Sequence, residues 1–154
     1  MKLHLIRHAK ASGHSISGND FDRDLSEKGI RQATALGEFL KNEIGNCTVS
    51  CSNATRTRQT LEIIGEQNEF SDIKFYNELY LCSKETYLEH LWQFSGNNDL
   101  VIVGHNFGIS EVASYLTDEI VEMRTSEYVC ILFEDLTWKE TSKGMGRKIN
   151  QYRP

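Results

Sequence analysis

Short runs of consecutive apolar residues alternate along this chain with longer stretches in which apolar positions recur every third or fourth residue. A continuous apolar run suits a strand covered on both faces, and the longer spacing suits an amphipathic helix. The alternation therefore predicts an α/β fold with a largely parallel sheet. Strands are predicted at Lys2–Ile6, Thr48–Cys51, Ile73–Tyr76 and Leu100–Val103, the last broken by Gly104. A polar loop spans Ala11–Asp24, and the first helix begins after it. Ser26 is its N-cap, and Leu25 is placed to staple onto Ile30. Ile30, Ala33, Leu36, Leu40 and Ile44 form its apolar stripe, and Gly45 stops it. A second helix is predicted over Ala54–Gly65, capped by Ser52 or Asn53, and a third over Lys84–Phe94, turning Tyr87, Leu88, Leu91 and Trp92 to the core. A fourth runs from Phe107 to Leu116 and packs through Ile109, Val112, Ala113 and Leu116. Tyr128–Phe133 and Thr137–Glu140 read as a closing hairpin, and the polar tail after Lys143 carries no element signal. No repeat or boundary interrupts the pattern, so residues 1–154 are expected to form a single domain.

Composition narrows the function classes. The chain has 154 residues, 39% of them hydrophobic and 25% charged, enough to bury a core without disulfide staples. Its net charge of −5 argues against nonspecific partnership with nucleic acid or anionic membranes. The opening apolar run is cut by Arg7 and His8, too soon for a signal sequence, and no stretch approaches the roughly 20 apolar residues of a membrane span. The expected location is the cytoplasm. There a disulfide framework is not expected, and Cys47, Cys51, Cys82 and Cys130 lack zinc-like spacing, so they are taken as core or surface thiols.

Chemistry gathers at three strand ends. Arg7 and His8 follow the first strand, Arg56 stands at the helix start after the second, and His105 follows Leu100–Val103. Ligand sites in open α/β sheets form beyond the carboxyl ends of the strands, so residues far apart in sequence can converge there. Two arginines and two histidines make a site for an anion. Arginine offers phosphate a planar, permanently charged fork, helix N-termini add backbone N–H groups, and a neutral histidine can also act as a nucleophile. His4 in the first strand, His14 in the loop and His90 on a helix are read as packed, surface and solvent-facing residues respectively. Gly144–Lys148 has a phosphate-loop composition without the strand or spacing that would support one. Trp92 and Trp138 are read as packing residues.

Four stretches, in order, resemble the histidine phosphatase superfamily, also called phosphoglycerate-mutase-like. Leu5-Ile6-Arg7-His8-Ala9 is similar to its Arg-His-Gly/Ala signature. Arg23-Asp24-Leu25-Ser26-Glu27-Lys28-Gly29 with Gln32-Ala33 is similar to its loop entering the first helix. Ser52–Thr60 resembles the segment carrying the second phosphate arginine, and Val103-Gly104-His105-Asn106 the segment carrying the second histidine. The short length and the Arg-His-Ala and Gly-His-Asn forms look most like the small bacterial phosphohistidine-phosphatase branch. Insertions that cover the substrate in the superfamily's mutases are missing.

The resemblance implies a three-layer α/β/α sandwich with a mostly parallel sheet and an antiparallel edge strand. It makes His8 the nucleophile and Arg7, Arg56 and His105 the phosphate clamp, with no metal and no cofactor. Arg56 is preferred to Arg58 because it lies four residues before Thr60, the family's spacing. Glu78 matches by position the glutamate that protonates the leaving group in many members, although the motif around it is not reproduced. A phosphoramidate depends less on such an acid than an ester does. The leading expectation is a phosphatase acting on a phosphohistidine protein, such as a phosphotransfer domain. A phosphomonoesterase for a small phosphate ester and a noncatalytic phosphate-binding module of the same fold are the alternatives.

Overall fold

A computed structural model describes residues 1–45 and 47–154. The elements are β1 (Lys2–Arg7), α1 (Glu27–Leu40), β2 (Thr48–Ser52), α2 (Thr55–Gly65), β3 (Asp72–Tyr76), α3 (Lys84–Gln93), β4 (Leu100–Gly104), α4 (Gly108–Thr117), β5 (Tyr128–Leu132) and β6 (Arg147–Tyr152). They build one six-stranded sheet in the order β3-β2-β4-β1-β5-β6. The first four neighbours run parallel, β5 is antiparallel to β1, and β6 is antiparallel to β5.

The period-two alternation of the strands sorts the core into two faces. Leu3, Leu5, Leu100, Ile102, Val129 and Ile131 face α3 and α4, where Tyr87, Leu91, Ile109 and Leu116 cover them. Ile6, Val101, Val103, Val49 and Cys51 face the other way, against Leu36 and Leu40 of α1 and Leu61 and Ile64 of α2. The α/β/α layering follows from these two apolar surfaces. His4 belongs to the second face, where its Nδ1 lies 2.8 Å from the hydroxyl of Tyr128, so it is a packed histidine. Among the described residues no helix is long and apolar enough to cross a membrane. Cys47, Cys51, Cys82 and Cys130 are free thiols.

Several local expectations are corrected. Ser26 does cap α1, accepting from Gly29 N–H at 3.1 Å and donating to the Lys10 carbonyl at 2.9 Å. The Leu25–Ile30 staple is absent: Ile30 is 49% exposed, while Leu25 packs on Ala9 and Ala33. Leu25 is held instead by the loop that follows His8. The helix ends at Leu40, and Ile44 is buried from a following turn whose N–H groups return to the Leu40 carbonyl. Neither Ser52 nor Asn53 caps α2. Its N-cap is Ala54, because the Ser52 hydroxyl is turned to His105 and the Asn53 amide to Asn77. Trp92 stays partly exposed on the rim of α3, its indole N–H on the Thr141 carbonyl. His90 does not face solvent; it bonds the Ser50 hydroxyl at 2.9 Å and packs edge-on against Tyr76.

The closing hairpin has a different second strand. Thr137 caps a short 3₁₀ turn, Trp138–Glu140, whose Glu140 carboxylate accepts from the Thr137 N–H and hydroxyl. The strand paired with β5 is β6, drawn from the polar tail, including Arg147 and Lys148 of the glycine-containing segment. Its burial alternates residue by residue, as an edge strand half open to water requires.

One glycine ties the fold to the site. A Cβ on Gly29 would collide with the carbonyl of Lys10, two residues after His8. Gly29→Ala is therefore expected to destabilise the protein by about 1–3 kcal/mol, because backbone rather than a flexible side chain must yield. Denaturant unfolding checks this; a midpoint equal to that of the parent would show that α1 does not need its close approach to the Lys10 loop.

Candidate active site

The three strand ends named from the sequence are neighbours, since β2, β4 and β1 are adjacent in the sheet. The backbone joins them directly. His8 N–H donates to the Gly104 carbonyl at 3.1 Å, and Ala9 N–H donates to the Thr60 hydroxyl at 3.0 Å. That hydroxyl donates in turn to the Arg56 carbonyl at 2.6 Å. The Arg-x-x-x-Thr spacing on α2 is thus what fastens the Arg56 turn to the end of β1.

His8 is almost wholly buried. Its Nδ1 lies 2.8 Å from the carbonyl oxygen of Ala9. A carbonyl only accepts, so this contact assigns the hydrogen to Nδ1 and leaves the lone pair on Nε2. Arg56 Nε stands 3.4 Å from that Nε2. Burial lowers the His8 pKa to about 4, against the Ala9 carbonyl and with help from the Arg56, Arg7 and Arg23 charges. The ring is neutral at physiological pH.

His105 is fully buried, its ring centroid 5.1 Å from that of His8. Nε2 contacts the Ser52 hydroxyl at 2.8 Å, whereas Nδ1 has no partner among the described residues. Burial first, then the His8 and Arg56 charges, drive its pKa far below the usual imidazole range. Its backbone N–H donates to the Tyr87 hydroxyl at 3.1 Å.

Arg7 donates from Nη1 to the Met123 carbonyl at 2.8 Å, and its buried Nε has no partner among the described residues. Arg56 is 3% exposed and gives Nη1 to the Asp20 carbonyl at 2.7 Å and Nη2 to the Asp20 carboxylate at 3.0 Å. The same carboxylate accepts from the Tyr80 hydroxyl at 2.6 Å and from Arg23 at 2.7 Å. These hydrogen bonds, Tyr80 first and Arg23 next, hold Asp20 well below the ordinary carboxylate range, so it stays ionised. Arg23 also donates to the Ser12 carbonyl, pinning the loop over the site.

The resulting cleft is about 330 Å³ and is lined by Arg7, His8, Lys10, Ala11, Asp20, Arg23, Arg56, Leu81, Asn106 and Thr125. Four cations face one carboxylate. Arg7, His8 and Arg56 line it together, and His105 supports it without lining it. Arg58 is on the surface, bonded to Asn53 and lying over Phe75. Glu78 is exposed and not among the lining residues. His14 is exposed in the loop. Asp20, Arg23 and Tyr80 are the site residues that sequence reasoning did not single out. The only signal was an acid three residues before an arginine in an otherwise unpatterned loop. Among the described residues no three of His, Cys, Asp or Glu gather as a group able to hold a metal ion.

Residues 3–80 match the family model described as histidine phosphatase superfamily (branch 1). An uncharacterized protein of Mycobacterium tuberculosis is 34% identical over 129 residues, covering 79% of each chain. A candidate phosphohistidine phosphatase, SixA from Nakamurella multipartitia, superposes with a TM-score of 0.86 at 24% identity, covering 99% of this chain and 95% of that one. The fructose-2,6-bisphosphatase TIGAR of Mus musculus is 41% identical over 71 residues, 44% of this chain and 26% of TIGAR.

Proposed function

The chain belongs to the histidine phosphatase superfamily and is a phosphatase by class, and from that premise we propose that it acts through a covalent phosphohistidine on His8, most readily on a phosphohistidine protein. The observation that carries the reading is the His8 tautomer: Nδ1–H on the Ala9 carbonyl and an unprotonated Nε2, which accepts only a long 3.4 Å bond from Arg56 Nε–H, in a cleft of cations. Nε2 attacks phosphorus as the bond to the leaving nitrogen or oxygen breaks. Arg7 and Arg56 take up charge on the nonbridging oxygens. His105 does not line the cleft; buried behind His8, with Nε2 on the Ser52 hydroxyl, it backs the nucleophile rather than meeting an oxygen. Water then adds to phosphorus, the P–Nε2 bond breaks, and the water's oxygen and both its hydrogens leave as part of inorganic phosphate. Nε2 regains its lone pair.

The choice of substrate follows from proton supply. Asp20 is the one carboxylate among the described residues lining the cleft, and it is held ionised by Tyr80, Arg23 and Arg56. A carboxylate fixed in that state cannot protonate an alkoxide, whereas the imidazole of a phosphohistidine leaves without a strong acid. The structural likeness to the SixA protein agrees in fold with this reading. A phosphohistidine-carrying phosphotransfer protein is expected to be turned over with a kcat/KM at least about 10²-fold above that of a sugar phosphate, a gap of the size one general acid supplies. Parallel assays of phosphate release test it. A preference for sugar phosphates would establish the second reading, a small-metabolite phosphomonoesterase, which the TIGAR similarity favours.

The acid limb of the reaction carries its own expectation. A His8 pKa lowered to about 4 leaves Nε2 unprotonated down to that pH, so kcat/KM should hold through pH 6 and fall only as pH drops toward 4. An acid limb at the ordinary imidazole value near 6.5 would show that the ring is far better solvated than its burial implies.

A further inference from the structure

Beside the catalytic cleft lies a second, separate pocket of about 480 Å³, walled by Lys28, Arg31, Gln32, Arg124, Thr125 and Arg153, among others. Its cations come from three places in the fold. Lys28, Arg31 and Gln32 share one face of α1 by their three- and four-residue spacing, opposite the stripe that buries Ala33 and Leu36. Arg124 and Thr125 stand in the loop before β5, and Arg153 follows β6.

The pocket is built rather than incidental. Glu127 is fully buried and accepts from the Arg124 backbone N–H at 2.7 Å, from Arg153 Nε at 2.8 Å and from Arg153 Nη2 at 3.0 Å. One carboxylate thereby fixes the Arg124 loop against the chain after β6. With Arg153 committed to Glu127, the side chains of Lys28, Arg31 and Arg124 carry the unspent charge. Among the described residues none of the three makes an ion pair or a side-chain hydrogen bond. Three unpaired cations around one cavity are out of keeping with a chain of net charge −5.

The pocket also adjoins the site. Thr125 lines both cavities, and Gln32 of the pocket accepts from the backbone N–H of Lys10, a residue of the cleft. We propose that this pocket is a second anion-binding subsite that takes an acidic segment of the substrate protein, its carboxylates meeting Lys28, Arg31 and Arg124 while the phosphoryl group occupies the cleft. The nature of the partner rests on the phosphoprotein reading above; the subsite itself rests on the three unpaired cations. Exposed cations of this kind act by steering and weak pairing, so they serve an extended acidic surface better than a single charge.

The test uses a fluorescently labelled, unphosphorylated Asp/Glu-rich peptide at low ionic strength, followed by anisotropy with the wild type and with K28A/R31A/R124A. The expected result is binding that salt weakens and that the triple variant weakens by at least about tenfold. Both proteins should hydrolyse an aryl phosphate with the same kcat/KM, which certifies that the variant is folded. On the phosphohistidine protein the variant should lose at least about tenfold in kcat/KM, mostly through KM. Absence of peptide binding to the wild type, or equal binding to both proteins, overturns the subsite. Binding of pyrophosphate lost in the variant, without peptide binding, overturns it in favour of a small substrate's second phosphate. Peptide binding that depends on the three cations, in a protein that leaves phosphohistidine untouched, upholds the subsite and overturns the proposed substrate.

Discussion

Replacement of His8 by alanine is expected to reduce phosphate release by at least about 10³-fold, the scale on which losing a covalent nucleophile is felt. Two features make the loss specific. Nε2 of His8 is the imidazole nitrogen that the Ala9 contact leaves free in the cleft, whereas His105 spends Nε2 on Ser52 and does not line the cavity. The second histidine is therefore badly placed to take over the attack. The substitution also disturbs little else, since among the described residues the His8 side chain makes only the Ala9 and Arg56 hydrogen bonds, besides its ring packing against His105, and the backbone bond to Gly104 survives. The assay is hydrolysis of an aryl phosphate in excess chelator, with a parallel search for an acid-labile phosphoryl group on the protein. The wild type should be active and labelled, and His8→Ala neither. Substantial turnover by His8→Ala would remove His8 from the nucleophile's role. Loss of the wild-type activity in chelator would show that a metal takes part.

The same residues show which parts of the molecule are legible in the sequence. β4 announces itself because both faces of a central strand are buried, which forces an unbroken apolar run, and β1 nearly does, interrupted only by the packed His4; the polar residues directly after such runs must stand at the sheet's carboxyl edge. His8 and His105 could be brought together on that ground alone, and Arg56 joined them as the helix start after the next strand, before any resemblance. β6 hid for the converse reason: with one face open to water, Arg147-Lys148-Ile149-Asn150-Gln151-Tyr152 reads as a polar tail, and only pairing with β5 makes it a strand. Ser52 shows a third case. A serine before a helix is ordinarily a cap, but here a buried imidazole competes for the hydroxyl and wins, leaving α2 with Ala54 as its N-cap and no side-chain cap hydrogen bond. Asp20 was hard to read because two of its three side-chain partners, Arg56 and Tyr80, lie 36 and 60 positions away, and only Arg23 falls within a local spacing.

That residue, Asp20, governs the second large effect. Arg56→Ala is expected to lower kcat by about 10²–10³-fold, the usual consequence of removing one preorganised donor from a developing oxyanion. Arg56→Lys should recover only part of this, because it restores charge without the planar fork. Asp20 sets where the fork points. Its carbonyl and carboxylate hold Nη1 and Nη2, while Nε is left toward His8. Asp20→Asn keeps the shape but exchanges a charged acceptor for a neutral one, so Arg56 loses its anchor rather than its presence. A fall in kcat of about tenfold is expected, the worth of a weakened charge-assisted hydrogen bond. Because Asp20 is a positioning residue acting through Arg56, the two losses should not add: Arg56→Ala/Asp20→Asn should be scarcely slower than Arg56→Ala alone. Steady-state rates for the wild type, the two single variants and the double variant close the cycle. Multiplicative losses would mean that Asp20 reaches the substrate or the leaving group directly, and the proton-supply argument for a phosphohistidine substrate would then fall with the anchor.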